Sequence, residues 1–500
     1  MTRASGILLP VFSLPSPYGI GTFGREAYRF VNFLAAAGQQ YWQILPVGPT
    51  SYGDSPYQSF STFAGNPYFI DLELLQRRGL LTGEELEAAE LGEDPQAVDY
   101  ALLFQNRYPL LRAAYERAKG QDGAALARFR QKHARWLEDY ALFMALKGVF
   151  ANQAWKNWPE DIRLRRPEAL RRWQKELAEE CGYWAWLQMV FFRQWGALKR
   201  YANKKGIAVI GDLPIYVAED SADAWANPDI FWFDEDLNPV KVAGVPPDGF
   251  SATGQLWGNP LYRWDVLRER GYDWWVDRVR MSLSVYDRVR IDHFRGFDTY
   301  YAVPYGDTTA ERGEWMEGPG IELFERLNEE LGEAYGGKLP IIAEDLGYLT
   351  ESVRELLKGS GFPGMKVLEF AFDSREQSDY LPHNYGHNCV VYTGTHDNDT
   401  VCGWFKTAPA PDVRFCRDYL RLTRWEGWNW GFIRGAWGST ADLAIAQMQD
   451  FLALGSEARI NTPSTLGGNW CWRLRQGMLT ASLAKKIRRI TQLYGRQATE

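Results

Sequence analysis

Arg290 and Asp292 stand two residues apart in Val289-Arg290-Ile291-Asp292-His293-Phe294-Arg295-Gly296. The apolar residues of this run read as a buried strand whose last residue is ionisable. Alternation puts Arg290 and Asp292 on one face and Val289 and Ile291 on the other. A guanidinium so placed keeps the carboxylate charged and fixes its orientation. A fixed, ionised carboxylate at a strand's C-terminal end suits a nucleophile.

Two more acids close apolar runs. Leu339-Pro340-Ile341-Ile342-Ala343 leads into Glu344-Asp345-Leu346-Gly347, and Cys389-Val390-Val391-Tyr392 leads into Thr393-Gly394-Thr395-His396-Asp397-Asn398. Asp292, Glu344 and Asp397 are thus spaced 52 and 53 residues apart. Each gap holds one or two strand–helix units of roughly 30 residues. Acids at the ends of several strands of one parallel barrel meet at one face. Any one of the three could be a salt bridge or turn cap; their occurrence together in this order argues for a site.

These strings, with Gly211-Asp212-Leu213-Pro214-Ile215-Tyr216-Val217, Ser55-Pro56-Tyr57-Gln58, Gly65-Asn66-Pro67-Tyr68, Gly258-Asn259-Pro260-Leu261-Tyr262 and Arg459-Ile460-Asn461-Thr462-Pro463, resemble the amylomaltases. Those are bacterial and plant 4-α-glucanotransferases related to the α-amylases. The likeness runs in order along nearly the whole chain. It implies an α/β fold, a (β/α)8 barrel with helical and loop-rich insertions. It also implies transfer of α-1,4-glucan segments to the 4-hydroxyl of glucose or another glucan, with α-1,4-glucan hydrolysis on the same site as the alternative. A non-catalytic glucan-binding module would not need all three acids.

By this resemblance Asp292 is the nucleophile, Glu344 the acid/base, and Asp397 the carboxylate that grips sugar hydroxyls. The physics agrees with the split. Arg290 favours the charged form of Asp292, whose charge then opposes ionisation of Glu344. The expected substrate-binding set is Arg290, His293, His396, Asp345, Asp212, Trp257, Phe250, Ser55, Tyr57 and Asn461. Within it Asp212 and Asp345 are read as supporting acids, with Asp212 orienting Arg290. Trp257 and Phe250 are the expected sugar-stacking rings, and Tyr52, Tyr57 and Tyr100 are weaker candidates. Residues 245 to 260 correspond to the family's covering loop. Position 249 is Gly where the family pattern carries Tyr, which removes a ring and loosens the loop.

A barrel must position these residues. Helical spacing over 25–37 leads to Tyr41-Trp42-Gln43-Ile44-Leu45-Pro46, read as the first strand. Residues 73 to 200 read as a mainly helical insertion, and 213 to 286 as a loop-rich insertion subdomain. Strands are expected at 208–212, 289–292, 339–344, 365–369, 389–393 and 458–461, all within one catalytic unit spanning 1–500. Ser482 to Ile490 reads as a closing amphipathic helix.

Composition narrows the rest. The 500 residues are 46% hydrophobic and 24% charged with net charge −7, which disfavours a nucleic-acid partner and suits neutral glucans, maltooligosaccharides and glucose. Five unpaired-looking cysteines suggest a reducing cytoplasm. The apolar run at 6–12 imitates a signal peptide but is followed by prolines, so it reads as folded chain. No stretch approaches a membrane span. His383 and His387 have a metal-like spacing, but Pro382 and Gly386 break any helix there; no metal or cofactor is expected. Asn398-Asp399-Thr400 fits a glycosylation sequon by coincidence. Most of the 22 tryptophans are expected in the core.

Overall fold

Eight short apolar runs form one parallel sheet in a computed structural model that describes residues 3–51, 53–247, 251–347 and 349–498. They are β1 (Ala4–Leu8), β2 (Tyr41–Gln43), β3 (Ala208–Leu213), β4 (Arg288–Ile291), β5 (Ile341–Ala343), β6 (Gly364–Val367), β7 (Cys389–Tyr392) and β8 (Leu443–Gln447). Neighbours in space follow chain order, and β8 pairs with β1. The remaining gap, between β5 and β6, is bridged by Ala343 N–H donating to Pro363 O at 2.9 Å. The sheet is therefore a nearly closed (β/α)8 barrel. Strands enclosed by helices bury both faces, so they read as continuous apolar runs rather than alternating ones.

The outer layer includes Arg25–Ala36, Ala178–Lys204, Asp273–Val285, Ile321–Leu331, Glu351–Ser360, Trp428–Gly438 and Ala481–Leu493. Thr350 and Thr480 cap two of them by accepting N–H bonds from Val353 and Leu483. Indoles lock elements within each layer, helix to helix outside and strand to strand inside. Trp195 donates to Val285 O at 2.9 Å and Trp42 to Leu9 O at 2.8 Å, each fully buried.

Between β2 and β3 stand the helices Tyr100–Lys132, Leu137–Val149 and Pro167–Glu176 ahead of Ala178–Lys204. The segment between β3 and β4 is more regular than its loop-like composition suggests. Lys241–Val245 and Gln255–Pro260 pair antiparallel, and Thr299–Pro304 and Glu314–Glu317 from the next connection extend them into a four-stranded sheet. The stretch 245–260, expected as a covering loop, thus includes one of these paired strands; Gly249 and Phe250 lie outside the described residues.

Three strand expectations need correction. The first barrel strand is Ala4–Leu8, so Tyr41–Gln43 is the second. Residues 458–461 are not a strand: Ser456–Ala458 is a 3-10 turn, and the eighth strand is Leu443–Gln447. The strand at 365–369 stops at Val367, where Leu368–Phe372 coils into 3-10 turns. Prolines after Leu9 hide β1, and a five-residue apolar run such as β8 cannot be told from a helix by periodicity.

Candidate active site

Register brings the acids together. Asp212 of β3 pairs with Arg290 of β4, and Ile291 of β4 pairs with Ala343 of β5. Asp292 and Glu344 are the next residues on their strands, so they stand side by side at the C-terminal mouth, where adjacent strands lie about 4.8 Å apart. Asp292 N–H donates to Leu213 O and Glu344 N–H to Ile291 O, each at 3.0 Å, which continues the ladder through both. Neighbouring strand ends of this kind can hold two carboxyls at the separation that cuts glycosidic bonds with retention, about 5–5.5 Å.

Arg290 organises the floor. It donates twice to Asp212, at 2.8 and 2.7 Å, and lies 2.9 Å from Asp292 Oδ1. Tyr57 Oη donates to the same Asp212 at 2.7 Å. The Asp212 side chain is 0% exposed, so it acts on the cleft only through Arg290 and Tyr57. Asp292, by contrast, keeps 29% of its side chain exposed. Burial pushes the Asp292 carboxyl up to about 6, with Arg290 restraining the rise. The guanidinium therefore offsets desolvation rather than producing a low pKa.

Glu344 accepts the His293 N–H at 2.7 Å and the Leu346 N–H at 2.8 Å, one on each carboxylate oxygen. Burial first, and the charge of Asp292 second, raise it to about 7, against the pull of Arg290 and the two amides. His293 occupies the left-handed region at φ 52°, uncommon for a residue with a Cβ. Its ring meets the indole of Trp257 edge-on at 4.8 Å. Burial, aided by Arg295, pushes His293 down to about 3, so the ring is neutral.

Asp397 arrives on the loop after β7. Asn461 Nδ2 donates to its Oδ1 at 2.6 Å, Arg459 donates to its backbone oxygen at 2.6 Å, and His396 Nε2 lies 3.3 Å from Oδ2. Burial opposes its ionisation, but His396 and Asn461 outweigh it and hold Asp397 down to about 2. The His396 ring stacks on Tyr57 with centroids 5.0 Å apart, and Trp470 packs 5.9 Å from His396 and 5.8 Å from Tyr57. Trp470 and Arg459 were not legible as site residues. Arg459 stands two before Asn461, the same spacing as Arg290 and Asp292, and that was the available signal.

Other expected contacts have local duties. Ser55 Oγ accepts the Tyr57 N–H at 3.2 Å. Tyr100 donates to Trp470 O at 2.9 Å, tying the long helix to the site wall. Tyr52 lies outside the described residues. Asp345, expected among substrate contacts, is turned away: its Oδ1 accepts Met365 N–H at 2.6 Å across the β5–β6 gap. A Cβ at Gly364 would fall 2.5 Å from Asp345 Oδ2, so the bare backbone there admits the carboxylate. Asp345→Ala strands a buried N–H, a cost of about 1–3 kcal/mol. Thermal unfolding should show a lower midpoint for the variant; an unchanged midpoint would mean the seam does not need this bond. His383 Nδ1 is engaged by Tyr419 Oη at 2.8 Å, and Asn398 Oδ1 accepts from Thr395 N–H at 2.9 Å.

A barrel whose strand ends carry an adjacent carboxyl pair beside a third, strongly ionised acid defines a glycoside-processing enzyme. Comparison with known proteins narrows the class. A family profile described as 4-alpha-glucanotransferase matches residues 9–480. The 4-alpha-glucanotransferase of Clostridium butyricum is 53% identical over 97% of this chain and 99% of its own length. That of Thermus thermophilus is 49% identical over 98% of this chain and 99% of its own. The solved amylomaltase from Streptococcus agalactiae, in complex with acarbose, superposes with a TM-score of 0.96 at 44% identity, covering 99% of this chain and 100% of that one. The chain belongs to the 4-alpha-glucanotransferase family. Its reaction is the transfer of α-1,4-glucan segments.

Proposed function

We propose that transfer proceeds by double displacement with Asp292 as nucleophile and Glu344 as acid/base. The ionised Asp292 attacks the anomeric carbon of the donor ring. The glycosidic bond breaks as Glu344 gives its proton to the departing 4-oxygen. The covalent glucosyl–Asp292 ester is then attacked by an acceptor's 4-hydroxyl, whose proton passes to Glu344 as the ester bond breaks. Asp397, held ionised by His396 and Asn461, binds ring hydroxyls and favours the oxocarbenium-like state. His293 and His396 contribute hydrogen bonds to the same ring, and Trp257 a stacking face. No cofactor or metal enters these steps.

The observation that carries the assignment is the adjacent register of Asp292 and Glu344, with Glu344 the harder of the two to ionise. Acarbose bound to the Streptococcus agalactiae relative supports a glucan-type ligand. Glucose, maltooligosaccharides and longer α-1,4-glucans are the proposed acceptors, and an acceptor on the same chain would close a cyclic glucan. The hairpin between Lys241–Val245 and Gln255–Pro260 is read as a cover that keeps water from the ester. The cytoplasm is the proposed compartment; the five cysteines are free thiols, the chemistry of a reducing environment. Among the described residues no helix is long and apolar enough to cross a membrane.

Pure maltotriose tests the reading. Transfer yields glucose together with chains longer than the substrate; hydrolysis yields only shorter sugars. The pH profile offers a second check. Turnover requires Asp292 charged and Glu344 protonated. Activity should therefore fall on the acid side as Asp292 takes a proton near about 6, and on the alkaline side as Glu344 loses its own near about 7. The profile of kcat/KM reports these groups in the free enzyme. A rate that keeps climbing well above neutrality would contradict the assignment of Glu344.

A further inference from the structure

Trp315 lies on Glu314–Glu317, the edge strand of the four-stranded sheet, and 45% of it is exposed. An open indole on a sheet edge invites unwanted association. Its neighbour Met316 supplies the packing instead, turned inward against the core. The indole is nonetheless firmly held. The Arg295 guanidinium lies 4.2 Å over the ring, and Tyr301 meets it edge-on at 5.2 Å. Glu314 before it is paired with Lys241, and Glu317 two residues on is exposed. An exposed indole backed by a guanidinium suits stacking against a neutral polyhydroxylated ring.

Its place in the fold gives the direction. Arg295 is the third residue after Asp292. The end of Trp315's strand returns to the catalytic loop, where Gly318 N–H donates to Asp298 O at 2.7 Å. Asp298 in turn accepts from Ser352 Oγ at 2.9 Å, in the first turn of the helix Glu351–Ser360 that follows β5. Trp315 thus stands over the β4–β5 side, the side of Glu344. Asp397, Asn461 and Trp470 stand on the loops after β7 and β8. Glu344 handles the oxygen of the leaving or arriving sugar, so the β5 side of the barrel mouth is the side that chain beyond the cleaved linkage would take.

Resting on the double-displacement reading, we propose that Trp315, backed by Arg295, is an outer stacking subsite for an α-glucan ring on the acceptor side, beyond the ring that adjoins the cleaved bond. It makes the enzyme prefer long acceptors over glucose. The test compares acceptors from glucose to maltoheptaose with one donor, for the wild type, Trp315→Leu and Trp315→Tyr. Leu keeps apolar bulk without a ring; Tyr keeps a ring. In Trp315→Leu the ratio of kcat/KM for maltoheptaose over glucose should fall about five-fold, or ~1 kcal/mol of stacking. Trp315→Tyr should recover most of the ratio. If Leu preserves the wild-type ratio, or if both variants lose rate equally at every acceptor length, the indole only supports the sheet and the subsite is wrong. A wild type that releases only shorter sugars would refute the transfer reading instead, a result visible before any variant is made.

Discussion

Asp292→Asn is expected to lower turnover of maltotriose by on the order of 10⁴-fold or more, while glucan binding persists. The amide is isosteric with the carboxylate. Its oxygen still accepts from Arg290, which lies 2.9 Å from Asp292 Oδ1. What disappears is the negative charge that bonds to the anomeric carbon. The Arg290–Asp212 pair beneath, at 2.7–2.8 Å, does not depend on the substitution, so the floor of the cleft stays in place. Steady-state rates and calorimetric binding of maltoheptaose to the same preparation separate the two effects. Wild-type turnover in the variant would remove Asp292 from the mechanism. Loss of binding together with turnover would make it a structural residue.

Glu344→Gln is expected to cost about 10²–10⁴-fold on maltotriose, the usual contribution of a positioned acid or base. Here the leaving group decides the outcome. A glucosyl fluoride departs without a proton, so the first step should survive in this variant. The second step still needs a base to receive the acceptor's proton, so the ester on Asp292 should accumulate. Gln retains an oxygen for only one of the two amides, His293 N–H and Leu346 N–H, that grip the carboxylate. Some loss of geometry is therefore built into the variant, and the comparison between fluoride and maltotriose corrects for it. Equal losses on both donors in the ester-forming step, read from the rate of the first turnover, would mean that Glu344 is not the proton donor.

The candidate centre was more legible than the frame that carries it. Asp292 and Glu344 stand out because each ends an apolar run, and Asp397 because it follows one within a few residues; a strand end is a place where an acid has no packing reason to be. Alternation alone put Arg290 beside Asp292, and the structure has them 2.9 Å apart. The sequence could not reveal partners set by long-range closure. Trp470 reaches His396 and Tyr57 only because loops after β2, β7 and β8 meet. Asp345 sits next to Glu344 in the chain, yet alternation turns it to the other side, where it accepts from Met365 N–H. The motif that contains both acids carries no mark of that difference beyond the period of two.

The four-stranded sheet was hidden for a different reason. Its strands come from two separate connections, and Gln255–Pro260 mixes Trp, Gly, Asn and Pro in proportions that read as loop. Pairing with Lys241–Val245, not local propensity, makes it a strand. The same pairing holds Trp257 against His293, and the opposite edge of the sheet carries Trp315. Residues placed there by tertiary pairing are the ones on which acceptor choice is argued to depend.

Mass spectrometry of the protein after reaction with a fluorinated glucosyl fluoride, which forms the ester quickly and loses it slowly, reaches the central claim most directly. One added fluoroglucosyl unit is expected on the peptide containing Asp292, released when maltose is supplied as acceptor. A label on Glu344 or Asp397, or turnover without any covalent adduct, would contradict it.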